Sequence, residues 1–325
     1  MTTVGITLGD PAGIGYEVTA KALSSGLFNG KDVTLIGKRE IFDMTARKLG
    51  LDIAALERCG FVEVDGVHLS YSSLRHGKAS REAGTVALES IKAATELALS
   101  HKVDAICTAP VHKDALLLAG SEFPDHTEIL EALTSSAGVT TLYELGRLRV
   151  MLLSKHVSMR KAMELVTREN LQSHIVASDR ALKYLGAERR RIAVAALNPH
   201  AGENGLLGDE ELNVIAPAIE ELKGRFDVHG PISSDSVFHL GAQGVYDIVL
   251  SLFHDQGRIA VKTAGYNRTV AMNIGLPFLR TAVDHGPGYD RAGLGTADET
   301  NMVEAIRATF RYADTYRREA AQPSN

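Results

Sequence analysis

The sequence predicts an α/β fold built on a largely parallel sheet, and three observations carry that prediction. Short apolar runs rich in Val, Ile and Leu alternate with longer segments whose apolar residues recur at helical spacing. The runs are continuous, as strands buried on both faces require, and not alternating. The chain has 325 residues, 45% of them apolar and 23% charged, which suffices for roughly two domains with real cores.

Taken in order, the strand candidates are Val4 to Leu8, Val33 to Gly37, Val103 to Thr108, Leu148 to Ser154, Ile192 to Leu197 and Ile248 to Phe253. The loop Gly9-Asp10-Pro11-Ala12-Gly13-Ile14-Gly15 follows the first and opens a helix, the place where anions or polar groups are captured. It matches neither the dinucleotide fingerprint nor the P-loop, so it counts as fold evidence. Thr85 to Leu99 gathers Val86, Ala87, Ile91, Ala94, Leu97 and Ala98 on one side of a helix. Asp209 to Lys223 is predicted as a second helix with acidic residues in its first turn, and Asp298 to Arg318 as the last. There is no internal repeat, low-complexity tract or Pro/Ser-rich linker, so two domains would be interwoven by chain crossings.

Composition excludes several functions. With 35 basic against 40 acidic side chains, the net charge of -5 offers no field attractive to nucleic acid or an anionic membrane. Cys59 and Cys107 are too few for a disulfide framework or a thiolate metal site. No apolar run approaches the roughly 18 residues of a membrane span, and the N-terminus lacks a signal-peptide layout. A cytoplasmic location is expected. Arg189, Arg190 and Arg191 fall between a helix and a strand, where cations complement the helix dipole.

The chemistry is signalled by four histidines at or just past the carboxyl ends of predicted strands: His112, His156, His200 and His254. Parallel α/β sheets bind ligands beyond those ends, so residues distant in sequence converge there. Imidazoles from three such loops, with one position open, make a catalytic centre for a divalent metal. Asp255 or Glu203 could orient a ring through its second nitrogen. Asp125-His126-Thr127-Glu128 begins a helix, where a hydroxyl and backbone amides could hold a phosphate or carboxylate, or where Asp125 or Thr127 simply caps. Lys262, Asn273 and Arg280 lie in a Gly-punctuated, apolar region, and two cations with an amide suit an anionic substrate.

Several blocks together resemble the 4-hydroxythreonine-4-phosphate dehydrogenase family of vitamin B6 biosynthesis. They are GDPAGIG at Gly9 to Gly15, APVHK at Ala109 to Lys113, HTE at His126 to Glu128, LNPHAGE at Leu197 to Glu203, HDQG at His254 to Gly257, Lys262, and GLPFLRTAVDHG at Gly275 to Gly286. The resemblance runs from about Gly5 to the last helix. It implies an isocitrate/isopropylmalate dehydrogenase-like fold of two interwoven α/β domains with a cleft between them, placed at residues 1–128 plus 273–325 and at 129–272. It further implies a homodimer with shared active sites, NAD or NADP as cofactor, and a divalent metal. The metal would be held by His156, His200 and His254, with His112 left as a pocket residue. Histidine ligation favours zinc or cobalt over magnesium or manganese. Substrate contacts would be His126, Thr127, Lys262, Asn273 and Arg280, and Asp235 matches a polar active-site position, so Asp235 and Lys262 are the catalytic candidates.

Three departures from the family pattern stand out. Asp125 replaces a glycine and adds negative charge near a phosphate, Pro287-Gly288 replaces Thr-Ala near the nucleotide, and Tyr16 replaces a proline. The expected reaction is metal-dependent oxidation of the 3-hydroxyl of 4-phosphohydroxythreonine or a close 4-phosphorylated hydroxy acid, followed by decarboxylation. The alternatives are 4-phosphothreonate or 4-phosphoerythronate as substrate, or an aromatic dihydrodiol carboxylate. From other classes come a metal-dependent lyase or phosphatase, or a non-catalytic binding protein.

Overall fold

The computed structural model describes residues 2–322. In chain order the strands are β1 (Thr3–Thr7), β2 (Asp32–Gly37), β3 (Gly60–Glu63), β4 (Ala105–Thr108), β5 (Thr140–Leu145), β6 (Leu148–Leu152), β7 (Ile192–Ala195), β8 (Val228–Ile232), β9 (Ile248–Ser251), β10 (Val270–Ile274) and β11 (Leu279–Val283). All six predicted runs are strands. The fold is α/β, and the chain forms two compact units, Met1–Val139 with Val270–Asn325 and Thr140–Thr269. The sequence placed the crossings at 128 and 273; the units divide at 139–140 and 269–270, so the helix His126–Thr134 falls wholly in the first.

In the first unit the strands run in the order β3-β2-β1-β4-β11-β10. Every pairing there is parallel except β10 with β11. The helix Arg81–Leu99 starts where Ser80 Oγ accepts the Ala83 amide, a side-chain cap for one otherwise unpaired donor. Its face of Ala87, Leu88, Ile91, Ala94 and Ala98 packs with Ile36, Val103 and Ile106 into one apolar cluster. Gly84 permits a backbone contact there, since a Cβ on it would lie 1.8 Å from the Ala115 carbonyl oxygen.

In the second unit the order is β5-β6-β9-β7-β8, with β5 and β6 an antiparallel hairpin and the rest parallel. Leu148, Val150, Leu152, Ala193, Ala195 and Val249 pack with Val237 and Val261 of the flanking helices. The single helix predicted over Asp209 to Lys223 is not continuous: a π-helical turn at Glu211–Ile215 precedes a short α-helix at Ala216–Glu220. Pro217 lacks the N–H that would continue an α-helical ladder, and the turn before it widens. Arg190 and Arg191 are taken up by ion pairs with Asp179 and Asp247, both structural.

Candidate active site

The first unit assembles a buried polar cluster around Arg280. Arg280 on β11 faces Asn273 on β10 in the antiparallel register, and its Nη1 donates to Asn273 Oδ1 at 2.7 Å. Its Nε and Nη2 both donate to Thr108 Oγ1, at 3.0 and 2.7 Å, on the last residue of β4. Asn273 Nδ2 in turn donates to Thr127 Oγ1 at 3.3 Å. His126 opens the helix beside Thr127 and is 8% exposed, with a buried Nε2 that has no hydrogen-bond partner. Burial, and then the Arg280 charge, hold its pKa well below the usual histidine range, so it is neutral. A neutral ring nitrogen, a hydroxyl, an amide and a guanidinium make an anion-selective group. Asp125 is an N-cap: its Oδ1 accepts the amides of Thr127 at 2.9 Å and Glu128 at 3.4 Å. Its charge is spent on the helix terminus.

A second constellation of the first unit joins the loops that follow β1, β4 and β11. Asp10 is fully buried; its Oδ1 accepts the Ala12 amide at 2.8 Å and its Oδ2 the Tyr289 hydroxyl at 2.6 Å. Burial raises the Asp10 pKa against these hydrogen bonds, and burial with the Asp10 bond drives the Tyr289 hydroxyl far above the usual tyrosine range. The Tyr289 ring stacks on His112, centroids 4.3 Å apart. His112 Nδ1 accepts the Asp114 amide at 3.2 Å, so this histidine caps the helix Lys113–Leu118. The Pro287 carbonyl accepts the Ile14 amide at 2.8 Å, and a Cβ on Gly13 would collide with it. The unusual Pro287–Tyr289 turn is thus locked onto the Gly-rich loop. Tyr16 is buried, and its hydroxyl accepts the Lys38 amide at 3.0 Å.

The second unit carries the other three histidines, each just past β6, β7 or β9. The His156 and His254 rings are brought together, centroids 5.6 Å apart. His254 Nδ1 lies 2.7 Å from Asp255 Oδ1, and His200 Nδ1 lies 2.7 Å from Glu203 Oε1. With a carboxylate bracing Nδ1, each of these two rings turns Nε2 to the other side, the arrangement a metal-ligating imidazole would need. The donor chemistry fits a divalent metal, yet among the described residues no group of three or more His, Cys, Asp or Glu comes close enough to hold one. His156 and His254 are paired; His200 is not gathered with them.

The His200 loop is built under strain. His200, Ala201, Glu203 and Asn204 all have positive φ, as does Gly202 between them, and such a conformation costs a non-glycine residue about 1–2 kcal/mol. Glu211 offsets part of that: 2% exposed, it accepts the amides of Leu197 and Asn198 at 2.8 and 2.7 Å and the Asn198 side chain at 2.9 Å. Burial opposes its ionisation, but those donors hold its pKa below the usual range. Asp235 lies in the first turn of the helix Ser234–Ala242, near enough to act electrostatically on His200. Lys262 lies near the end of the helix His254–Gly265, its Nζ 4.5 Å from the Tyr266 ring centroid.

Sequence reasoning missed Thr108, Glu211, Gln256 and the Asp10–Tyr289 pair. Gln256 Nε2 ties the Ala196 carbonyl and Ser234 Oγ, each at 2.8 Å, to the helix that His254 begins. Thr108 had a legible signal, as the polar last residue of a buried apolar run at a carboxyl strand end. Asp10 and Gln256 stood in the GDPAGIG and HDQG blocks, but their partners, like those of Glu211, lie on distant loops that the sequence does not connect.

Residues 30–309 match the family model for the pyridoxal phosphate biosynthetic protein PdxA. A protein of Symbiobacterium thermophilum, provisionally named a D-threonate 4-phosphate dehydrogenase, is 42% identical over 97% of this chain and 98% of its own length. One of the same name from Clostridium botulinum is 40% identical with the same coverage. Among solved structures, a 4-hydroxythreonine-4-phosphate dehydrogenase from Klebsiella pneumoniae superposes with a TM-score of 0.84 at 36% identity, covering 96% of this chain and 100% of that one. A terephthalate 1,2-cis-dihydrodiol dehydrogenase from Burkholderia xenovorans is more distant, with a TM-score of 0.64 at 25% identity, covering 97% and 98%. The family match, near-complete coverage and identities of 36–42% converge: the chain belongs to the PdxA family and is a dehydrogenase of that type, acting on a CH–OH group.

Proposed function

We propose that the chain oxidises the C3 hydroxyl of a four-carbon acid phosphorylated at C4, with 4-phosphothreonate as the favoured substrate and NAD or NADP as hydride acceptor. The observation that carries this reading is the buried cluster of Arg280, Asn273, Thr127 and neutral His126, which suits a phosphate. Similarity of 40–42% to proteins named for D-threonate 4-phosphate supports the choice of acid. The family description and the Klebsiella structure favour the amine-bearing 4-phosphohydroxythreonine as a second reading.

In this reading the C3 hydride passes to nicotinamide, and Asp235 accepts the hydroxyl proton. The resulting 3-keto acid loses carbon dioxide, the C1–C2 bonding electrons passing into the C3 carbonyl before C2 is reprotonated. His156, His200 and His254 would hold a divalent metal, which supplies Lewis-acid polarisation of the reacting oxygen. Asp255 and Glu203 keep two of those rings in the ligating tautomer. Lys262 contributes positive charge for the acid. We place a second copy of the chain as its partner, the assembly that the family resemblance implies.

The test is nicotinamide reduction by metal-loaded protein with NAD and NADP against 4-phosphothreonate, 4-phosphoerythronate and 4-phosphohydroxythreonine, with a chelator control and light scattering for oligomeric state. Chelator-sensitive turnover of 4-phosphothreonate supports the proposal. Turnover confined to the amine-bearing acid selects the second reading, and silence on all three refutes both.

A further inference from the structure

We infer that Thr108 is the positioning residue that sets the anion affinity of the Arg280 cluster; the inference rests on the function proposed above. An arginine is useful for phosphate only when its planar fork is held in place, because a free side chain loses rotamer entropy each time it binds. Thr108 supplies that hold. Its Oγ1 accepts from both Nε and Nη2 of Arg280, at 3.0 and 2.7 Å, while Asn273 Oδ1 takes Nη1 at 2.7 Å. Two acceptors on two different strands fix the plane as well as the direction of the guanidinium.

The identity of the acceptors matters. Both oxygens are neutral, so they orient the guanidinium without adding negative charge, as an aspartate in the same place would. Thr108 is 1% exposed and Arg280 6%. In such surroundings a lost hydrogen bond to a charged group is not replaced by water. The β4–β11 pairing brings Thr108 to the guanidinium: Ala282 lies opposite Thr108 and Arg280 two residues back along β11. Thr108 is also well placed to spend its own proton elsewhere, since the Thr281 carbonyl lies 3.5 Å from its Oγ1. The hydroxyl therefore acts as acceptor toward Arg280 and acts on a ligand through that arginine.

The test compares the full-length wild type with Thr108→Val, which keeps shape and removes the oxygen, and Thr108→Ser, which keeps the oxygen. Steady-state kinetics on 4-phosphothreonate and 4-phosphohydroxythreonine are read beside calorimetric titration with inorganic phosphate. Thr108→Val should raise the substrate KM and the phosphate Kd about tenfold or more, as loss of a charge-assisted hydrogen bond implies. Its kcat and nucleotide KM should stay within about twofold, and Thr108→Ser should recover most of the affinity, because the oxygen is what holds the arginine. Should Thr108→Val fail to fold, Thr108→Ala takes its place. Wild-type phosphate affinity in the oxygen-free variant, or a uniform loss of kcat and both KM terms that serine does not recover, overturns the inference. A wild type that binds phosphate through Thr108 yet turns over neither acid refutes the proposed function and leaves this inference standing; a wild type that binds no phosphate refutes the inference.

Discussion

Replacing His126 with asparagine should remove a pH dependence from the stability of the chain. In the fold the ring is buried, its Nε2 is unpartnered, and burial together with the Arg280 charge keeps it neutral. In the unfolded chain an imidazole takes up a proton below about pH 6.5. The unfolded state therefore binds more protons than the folded state as pH falls, so stability present above pH 6.5 is lost below it. Between about pH 7.5 and 5 one such histidine costs about 2 kcal/mol, from the proton uptake of its unfolded form. Asparagine has no such titration, and the packing it forfeits is the same at every pH. Urea unfolding of both proteins without ligand, at several pH values across that range, gives the difference in unfolding free energy. That difference should move by about 2 kcal/mol, the wild type losing ground as the solution is acidified. A difference flat to within about 0.5 kcal/mol would mean that His126 titrates in the fold as it does in water, and the neutral buried imidazole would be wrong.

Three further outcomes are expected. Tyr289→Phe keeps the stack on His112 but leaves Asp10 without its shortest hydrogen bond, so thermal unfolding should show a loss of about 1–3 kcal/mol. Gly84→Ala puts a methyl into the Ala115 carbonyl and should destabilise by about 1–3 kcal/mol in chemical denaturation, with no specific change in the KM for either substrate. Asp255→Ala leaves the fold intact, as judged by circular dichroism, but frees the His254 ring, and zinc titration should show affinity reduced by about 10- to 100-fold.

Much of the architecture was legible in the chain because a strand buried on both faces must be apolar throughout. Val4, Ile6, Ile106, Val150, Val194 and Leu250 sit in runs that could be little else, and each is buried. Two of the strands that escaped notice, β10 and β11, are fully buried yet contain Asn273, Arg280 and Thr281, polar residues that break an apolar run. β8 was hidden by its Gly-Pro and by its partial exposure.

The candidate site divides along the same line. The sequence by itself determined the residue types and their placement at strand ends: histidines after β6, β7 and β9, a capped helix at His126, and cations in an apolar context. Those follow from local rules, since strand periodicity and capping are properties of neighbours in the chain. Only the tertiary structure decided partnership. It turned Asp125 inward as a cap, gave Thr108 the edge of Arg280, set Tyr289 on Asp10, and drew His156 to His254 while leaving His200 on its strained turn. Each of these is a contact whose partner is fixed by sheet order or loop packing, and no spacing along a single chain encodes which strand will lie beside which.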